Sequence, residues 1–341
     1  MKKTKKPLLA DVARLAGVSI GSASKAISDP TKVRPTTLAR VREAAQQLGY
    51  IADGAARALA SRRSRTIGTI LPTISNPIYA AFVQALQKKL AALGYHLIVA
   101  SHEYDSALEV EIARGLIERG ADALVLIGNE HDPALSLLLD AAGTPTVAAW
   151  SYNQYGSHPY VGFNDRIGAQ LATRHLLGLG HRVFAILSGP TARNERQRAR
   201  VSGIVETLSA HGLDCLPEHR LEMPFSISSG SGAFLAIQQF ETQPTALVCC
   251  SDLLAIGFVA AATQAGLDIP GQMSVTGFGD IEIGKLVHPP LTTVRVPIEE
   301  IGDKTAAIVV DLIENPDAAG SVNVEVDLVV RASTGPAPKM P

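Results

Sequence analysis

The sequence is poor in cysteine and in aromatic residues. Among its 341 residues there are three cysteines, and Phe, Trp and Tyr together make up 5%. Cys249 and Cys250 are adjacent and Cys215 stands apart, so the cysteines form neither a disulfide framework nor a zinc-ligand pattern. We therefore expect a reducing, cytoplasmic compartment and a core built mainly from Ala, Val, Leu and Ile.

Long apolar runs are missing as well. No uncharged apolar stretch reaches the roughly 20 residues that a membrane-spanning helix needs. The basic start "MKKTKKPLLADVARLAG" does not form a signal peptide, because Asp11 and Arg14 interrupt any apolar segment. The sequence thus predicts no membrane partner.

Motifs of catalysis are absent or incomplete. "GDIEIGK" (279–285) fits the first part of a phosphate-binding loop, but Leu286 stands where a Ser or Thr must hold magnesium. "GLGHRV" (178–183) lacks the third glycine of a dinucleotide-binding turn, and no G-x-S-x-G elbow occurs. The nine histidines show no metal-ligand spacing. We expect no enzyme activity, no cofactor and no metal; an NTPase that uses the 279–285 loop is the enzyme alternative.

Charge is distributed unevenly along the chain, although the net charge is only -1. Residues 1–65 contain 14 Lys or Arg against four acidic residues, which gives +10, and the remainder carries -11. A basic N-terminal segment on an acidic body indicates a nucleic-acid partner or an acidic membrane surface.

The first 51 residues show the pattern of three short helices. Gly17 and Gly49 each follow an apolar-periodic segment, and Ser19 is a typical N-cap for the second helix. Two helices joined by a tight, glycine-containing turn are typical of a helix-turn-helix unit. The residues expected to form its small core are Val12, Ala13, Leu15, Ala16, Ala23, Ala26, Ile27, Leu38, Val41, Ala45 and Leu48.

The second of these helices has an outward face of small side chains and one lysine: Ile20, Gly21, Ser24, Lys25 and Ser28. Such a face can enter the major groove of DNA and bring short polar groups to the base edges. The segment that follows, "ADGAARALASRRSR" (52–65), has too few large apolar residues for a core of its own. It is either a flexible linker or a helix that folds only against a partner.

From Thr66 onward β-branched runs alternate with amphipathic helical segments. The alternation occurs in two successive series with short connections, which predicts two doubly wound parallel sheets. "HPPLTTVRV" (288–296) is placed to lead back to the first sheet. The expected fold is a small all-α helix-turn-helix head plus a two-lobed α/β sensor, with a ligand-binding cleft between the lobes.

These segments resemble the lactose/galactose repressor (LacI/GalR-type) family of bacterial transcription regulators. The resemblance begins with "LADVARLAGVSIGSASKAISDPTKV" and continues through "GHRVFAILSGP" (180–190), "SDLLAIGFVAA" (251–261) and "SVTGFGD…HPPLTTV" (274–294). It implies a dimeric regulator, usually a repressor, that binds a palindromic DNA operator, and a sensor similar to type I periplasmic binding proteins. A small-molecule effector, such as a sugar, a sugar acid or a related metabolite, is expected to control DNA affinity.

The resemblance also implies DNA contacts. Ile20, Gly21 and Lys25 match base-reading positions, and 53–61 matches a hinge helix whose Leu59 wedges into the minor groove. Gly54 departs from the family pattern and raises the cost of folding this hinge by about 1 kcal/mol. The DNA-binding residues expected on this basis are Ser19, Ile20, Gly21, Ser22, Ser24, Lys25, Ser28, Lys32, Ala56 and Leu59.

Effector-binding positions carry over in the same way. Ser251-Asp252 and Gly279-Asp280 stand where sugar-binding members have Asn-Asp and Asp-Asp, so two hydroxyl-reading groups are missing. A ligand with fewer hydroxyls is one hypothesis; an anion that meets Arg200 and one of Arg193, Arg196 or Arg198 is another, although Arg196 and Arg198 could equally be a solvated helix face. The expected effector-binding residues are Tyr79, Trp150, Phe163, Arg200, Phe225, Ser251, Asp252 and Asp280.

The resulting domain prediction has four parts. They are a DNA-binding domain (1–51), a hinge or linker (52–65), a sensor (66–335) and a tail (336–341). Within the sensor we assign 66–163 and 294–322 to one lobe, and 164–290 and 323–335 to the other. The tail has no leucine heptads, so a homodimer is expected rather than a tetramer. The non-DNA alternative is a small-molecule binding protein that serves transport.

Overall fold

The computed structural model describes residues 6–51, 63–152, 158–315 and 320–339. The chain divides into two compact units, residues 1–65 and 66–341. Most of the predicted hinge, with Ala56 and Leu59, lies outside the described residues, as do the last two residues of the predicted tail.

The first unit contains three α-helices in its described part, α1 (Leu9–Ala16), α2 (Ile20–Ser28) and α3 (Pro35–Leu48). Leu15 departs from the prediction, because its side chain is 51% exposed. At 3.6 residues per turn it lies roughly 100° from the centre of the inward face of α1. In the described part of this unit, the buried hydrophobic residues are Val12, Ala13, Ala16, Ala23, Ala26, Val41 and Ala44.

The turn between α1 and α2 is held by local and tertiary contacts. Gly17 has a φ of 61°, the left-handed conformation that ends α1. The hydroxyl of Ser19 accepts a hydrogen bond from the Ser22 amide at 3.1 Å, so Ser19 is the N-cap of α2, as predicted. From α3, Arg40 donates to the carbonyls of Ala16 and Gly17. This arginine sets the position at which the chain turns into α2.

The second unit is built from alternating strands and helices. Its described strands are β1 (Thr66–Leu71), β2 (His96–Ser101), β3 (Ala123–Ile127), β4 (Thr146–Ala149), β5 (Tyr160–Gly162), β6 (Phe184–Ser188), β7 (Arg220–Glu222), β8 (Ala246–Cys249), β9 (Ser274–Gly279), β10 (Thr292–Arg295), β11 (Val322–Asn323) and β12 (Asp327–Val329). Its described α-helices are α4 (Pro77–Ala92), α5 (Ser106–Glu118), α6 (Pro133–Ala142), α7 (Asp165–Gly178), α8 (Glu195–Ser209), α9 (Ile227–Ile237), α10 (Asp252–Gln264) and α11 (Ile298–Glu314).

The strands form two sheets of six, as the predicted fold class requires. The first has the order β11-β5-β4-β3-β1-β2 and the second β12-β10-β9-β8-β6-β7. All neighbouring strands are parallel except β12, which pairs antiparallel with β10 at the edge of the second sheet. Strands β3, β4, β6, β8 and β9 are buried along their whole length, because helices cover both faces of each sheet.

The chain passes between the two lobes three times, and two crossings differ from the predicted boundaries. Val294 and Arg295 belong to β10 of the second sheet, where they pair with β9, and not to the first lobe. Asn323 belongs to β11 of the first sheet. The change of lobe comes after β10, and α11 then packs on α4. Gly302 permits this close approach, since a Cβ there would lie 2.6 Å from Cβ of Ala85.

In the part of the chain that the structure describes, no helix combines the length and apolar character needed to cross a membrane.

Candidate functional site

The outer face of α2 is open to solvent. Ile20 is 56% exposed although it is apolar, and Gly21, Ser24, Lys25 and Ser28 are exposed beside it. Their neighbours Ala23 and Ala26 are buried in the head. The face predicted to contact DNA is therefore exposed to solvent, as expected. Its small side chains would let the helix backbone come close to a partner.

The other polar side chains predicted to contact DNA have partners within the head. The hydroxyls of Ser19 and Ser22 lie 2.8 Å apart, where they close the start of α2. Lys32 pairs with Asp29, with 2.9 Å between Nζ and the carboxylate, and remains exposed. Ser19 and Ser22 thus stabilise the start of α2. To contact a DNA phosphate, the ammonium group of Lys32 must first leave the carboxylate of Asp29.

A cleft lies where the carboxyl ends of strands from both lobes meet. This is the position at which open parallel sheets bind ligands. Its cavity volume is about 40 Å³, so the cleft is narrow in this structure. Its lining residues are Asn76, Ile78, Tyr79, Tyr104, Trp150, Asn194, Arg196, Gln197, Arg200, Phe225, Ser251, Asp252, Leu253, Phe278 and Ile281.

Aromatic rings supply much of the cleft wall. Tyr79 and Trp150 meet edge to face with 5.4 Å between ring centroids. Tyr104 of the first lobe stacks on Phe225 of the second at 5.8 Å, so one aromatic pair bridges the cleft. Trp150 is buried with a φ of 74°, and its indole N–H makes no hydrogen bond with the described residues. A buried donor without a partner costs about 1–3 kcal/mol, and an acceptor on a ligand would recover it.

Arg200 lines the cleft, but its charge is already compensated. Its Nε donates to Asp165 at 2.6 Å and its Nη1 to the carbonyl of Cys250 at 2.7 Å. The guanidinium carbon also stands 3.7 Å from the centre of the Phe278 ring. Nη2 makes no hydrogen bond with the described residues and is left to reach a ligand.

Arg196 also lines the cleft, and it belongs to a network that joins the lobes. Its Nη1 donates to Glu195 at 3.0 Å. Glu195 accepts from the first lobe too, from the hydroxyl of Ser151 at 2.6 Å and from the amide of Asn129 at 2.8 Å. Burial opposes ionisation of Glu195, but Arg196 and these donors outweigh it and lower the pKa of its carboxyl.

Asp252 stands at the start of α10 with both carboxylate oxygens in use. Oδ1 accepts from the Thr293 hydroxyl at 2.6 Å, and Oδ2 accepts from the Ile281 amide at 2.9 Å. Burial raises the pKa of this carboxyl to about 6, against the hydrogen bonds, which lower it. Asp252 therefore ties α10 to the loop after β9 as well as lining the cleft, and Ser251 lines the cleft next to it.

Two predicted effector-binding residues are not in the cleft wall. Phe163 is fully buried one layer below it, between the rings of Trp150 and Phe278 at 6.1 Å each. Asp280 is held by Arg331 and by Arg295, whose Nε lies 3.0 Å from Oδ2. It lines a separate groove beside α11, because these two guanidinium groups draw its carboxylate away from the cleft.

Sequence reasoning missed several lining residues, among them Tyr104, Asn194, Gln197 and Phe278. Tyr104, Asn194 and Phe278 share a signal of position, since each lies at the carboxyl end of a strand or in the loop that follows it, whereas Gln197 lies in the first turn of α8. Of the arginines considered for an anion, Arg193 and Arg198 are exposed. Arg193 donates to the hydroxyl of Ser106, and Arg198 pairs with Glu130, both in the first lobe. Arg196 is buried, so it does not belong to the solvated helix face that was the alternative prediction for it. Because Arg196, Arg198 and Arg200 each have a carboxylate partner, the geometry favours an uncharged ligand over an anion.

The 279–285 segment does not have the form of a phosphate-binding loop. Such a loop leads into an α-helix at its Lys-Ser/Thr end. Here Glu282–Lys285 is a short 3-10 turn, and the chain goes on to β10. Within the described ranges, no group of three or more His, Cys, Asp or Glu residues is arranged to hold a metal ion.

Comparison with known families accounts for both units. Residues 8–53 match the family described as "Bacterial regulatory proteins, lacI family". Residues 173–334 match the "Periplasmic binding protein-like domain".

Several relatives match nearly the whole chain. The chain is 34% identical to an uncharacterized HTH-type transcriptional regulator in the aml 5' region of Streptomyces limosus, over 96% of this chain and 94% of the relative. It is 32% identical to the HTH-type transcriptional regulator MalR of Streptomyces coelicolor, over 97% of each. Among solved structures, the lac repressor dimer bound to operator and the anti-inducer ONPF superposes with a TM-score of 0.86 at 25% identity, covering 97% of this chain and all of the other.

Proposed function

The chain belongs to the LacI family of bacterial regulatory proteins, and from this we propose that it is a transcriptional repressor controlled by a small molecule. It binds an operator in double-stranded DNA as a homodimer. The DNA-binding unit is the N-terminal head, and the effector binds between the two lobes of the sensor. As with the named relatives, the activity is transcriptional regulation rather than catalysis, and the protein acts in the cytoplasm.

The observation that carries the proposal is the exposed face of α2 within the segment that matches the lacI family. Ile20 offers an apolar contact, for example to a thymine methyl group, and Lys25 offers a charged donor to a base edge. Gly21 has no side chain to read a base, so it contributes by letting the backbone approach. We assign sequence reading to Ile20 and Lys25, and helix capping with backbone contact to the serines.

Operator binding can be tested directly by selection. The full-length protein would be incubated with a library of randomised, palindromic DNA duplexes, and bound duplexes would be enriched and sequenced. We expect one palindromic motif, bound at least about a thousandfold more tightly than random duplex, as is common for specific regulators. Recovery of no motif, with equal affinity for all duplexes, would reject the proposal.

Control by an effector follows from the two-lobed cleft. Tyr104 and Phe225 stack across it, and Glu195 bonds from the second lobe to Ser151 and Asn129 of the first. A ligand that changes how these lobes meet can shift DNA affinity only by binding one arrangement better than the other. A thermal-shift screen against sugars, sugar acids and nucleobases would identify it, and operator titration with the hit would show whether it releases or promotes binding.

The rival proposals predict different outcomes. A transport-type binding protein would bind the same small molecule but would enrich no DNA motif. An NTPase built on the 279–285 segment would hydrolyse nucleotide or be stabilised by ATP in the same thermal-shift assay.

A further inference from the structure

One carboxylate oxygen of the second lobe joins it to the first lobe beside the cleft. Glu195 is the first residue of α8, and its Oε1 accepts from the Ser151 hydroxyl at 2.6 Å and from the Asn129 amide at 2.8 Å, both in the first lobe. Arg196 donates to the same oxygen at 3.0 Å. We call Glu195 and these three donors the clasp.

The clasp lies directly over a glycine of the first lobe. Gly128 follows β3 and has a φ of 92°. A Cβ built on this residue would overlap Nη1 of Arg196 and would lie 2.8 Å from Oε1 of Glu195. The lobes can therefore come this close only because residue 128 has no side chain.

Further contacts join the lobes around the clasp: Arg193 with Ser106, Arg198 with Glu130, and the stacked rings of Tyr104 and Phe225. The side chains of Arg198 and Glu130 are 45% and 38% exposed, so water and salt weaken their attraction. In the clasp, Ser151 and Arg196 are buried and Glu195 is mostly so. Among these polar contacts the clasp is thus the best shielded from solvent.

The arrangement that the clasp stabilises leaves little space in the cleft. A cavity volume of about 40 Å³ gives room for about three water molecules. Small-molecule sites usually measure about 300–1,000 Å³. The ring of a sugar or a nucleobase therefore fits only when the two lobes lie further apart than they do here.

We propose that the protein closes its own cleft through the clasp, and that an effector binds only a wider arrangement in which Glu195 has separated from Ser151 and Asn129. This rests on the proposed function of the cleft. The clasp and the effector then oppose each other, because each stabilises a different arrangement of the lobes. Glu195 does not line the cleft, so it acts as a positioning residue.

A consequence distinguishes this scheme from a cleft that closes around its ligand. Breaking the clasp by mutation should shift the lobes towards the wider arrangement without any effector. Such a variant should therefore show the change in operator affinity that the effector produces in the wild type.

Two measurements on the full-length protein report the arrangement of the lobes. Trp150 is the only tryptophan of the chain, lines the cleft and is 2% exposed, so quenching of its fluorescence by acrylamide measures access to the cleft. Hydrogen exchange of the Asn129 amide, which donates to Glu195, measures opening of the clasp itself. Exchange of the β3 amides shows in the same sample that the first lobe remains folded.

Two variants break the clasp, and each has a matched control. Gly128→Ala places a methyl group against Arg196, and Gly120→Ala adds the same strain at a φ of 81° where nothing lies within 4 Å. Glu195→Gln keeps the shape of the side chain but removes its charge. Glu206→Gln makes the same change further along α8, where the carboxylate pairs with Arg166 of its own lobe.

We expect the Asn129 amide to exchange at least about tenfold faster in Gly128→Ala and in Glu195→Gln, the factor that loss of one hydrogen bond to a charged group implies. Trp150 should be quenched more strongly in both, and operator affinity should change at least about fivefold. The two controls should keep the wild-type values.

The clasp is rejected if Asn129 exchange and Trp150 quenching are the same in the two clasp variants as in their controls. If both measurements show opening but operator affinity stays at the wild-type value, the clasp does not regulate DNA binding and the proposal is overturned. Trp150 and Asn129 are measured without DNA. Failure of the wild type to bind any operator would therefore reject the regulator function separately.

Discussion

The guanidinium of Arg200 donates to the carboxylate of Asp165 across 2.6 Å, and both side chains are buried. The two residues stand in different helices of the second lobe, α8 and α7. Because Asp165 compensates the charge of Arg200, this arginine can offer a hydrogen-bond donor to an effector without demanding an anion. The charge of one of the two arginines that line the cleft is thus compensated within the protein.

Replacement of Lys25 by Ala should weaken operator binding without altering the dimer. Lys25 is exposed on the outer face of α2, and loss of a base-edge contact costs about 1–3 kcal/mol. Gel-shift titration would measure the loss against specific and random duplexes. Arg42→Ala, an exposed change on α3 that removes the same charge, is the control and should reduce specific affinity far less. Unchanged operator affinity in Lys25→Ala would contradict the assignment.

Two glycine-to-alanine changes in the head should differ in their effect. Gly17 and Gly49 both end helices at a φ of 61°, so each alanine costs about 1 kcal/mol in strain. At Gly17 the new Cβ would lie 2.7 Å from Nη2 of Arg40, whereas at Gly49 nothing lies within 4 Å. Gly17→Ala should therefore lose about 1 kcal/mol more, through the Arg40 hydrogen bonds. Amide exchange of the head in the intact protein would measure both; equal losses would show that Arg40 does not support the turn.

Arg200→Ala should abolish the effector response while operator binding without effector persists. It also leaves Asp165 buried without its partner, which costs about 3–5 kcal/mol of sensor stability. Arg200→Lys keeps a charge beside Asp165 but loses the planar group over Phe278, so it should recover stability more than effector affinity. Arg198→Ala, at an exposed position, is the matched control. If the Arg200→Ala protein still dissociates from its operator at the effector concentration that releases the wild type, Arg200 does not bind the effector.

The His131–Glu109 pair should make part of the sensor stability depend on pH. Burial opposes the charged imidazole, but the hydrogen bond and charge of Glu109 outweigh it and raise the pKa of His131 above 6.5. Because the folded-state pKa is the higher one, the stabilisation is fully present below pH 6.5 and is lost as pH rises through the folded pKa. At His102 burial outweighs the attraction of Glu109, so the pKa of this ring is lowered.

An NMR titration of the histidine rings would check both directions. Glu109→Gln should bring the pKa of His131 down to 6.5 or below, and Glu111→Gln, exposed on the same helix, should leave it raised. If His131 titrates at 6.5 in the wild type, Glu109 does not stabilise its charged ring as the 3.0 Å contact indicates.

Much of the architecture could be predicted because its signals are local. The capping serine at position 19, the glycines that end α1 and α3, and the alternation of apolar strands with amphipathic helices all lie within short windows of sequence. Those windows indicated the helix-turn-helix head, the outward face of α2 and the two parallel sheets. Leu15 shows the limit of this approach, since apolar character alone does not say which face of a short helix turns inward.

The sequence by itself determined the kind of protein: a basic three-helix head, a two-lobed α/β sensor and a family resemblance that the comparisons confirm. Only the tertiary structure decided which side chains meet in the cleft. It brought Tyr104 to Phe225 and Glu195 to Ser151, turned Asp280 away towards Arg295 and Arg331, and placed Phe163 beneath the wall. Helix and strand patterns repeat every few residues and can be read along the chain. Contacts between distant residues depend on how whole elements pack. Nothing in the sequence near Arg200 or Asp165 indicates that these two residues form a pair.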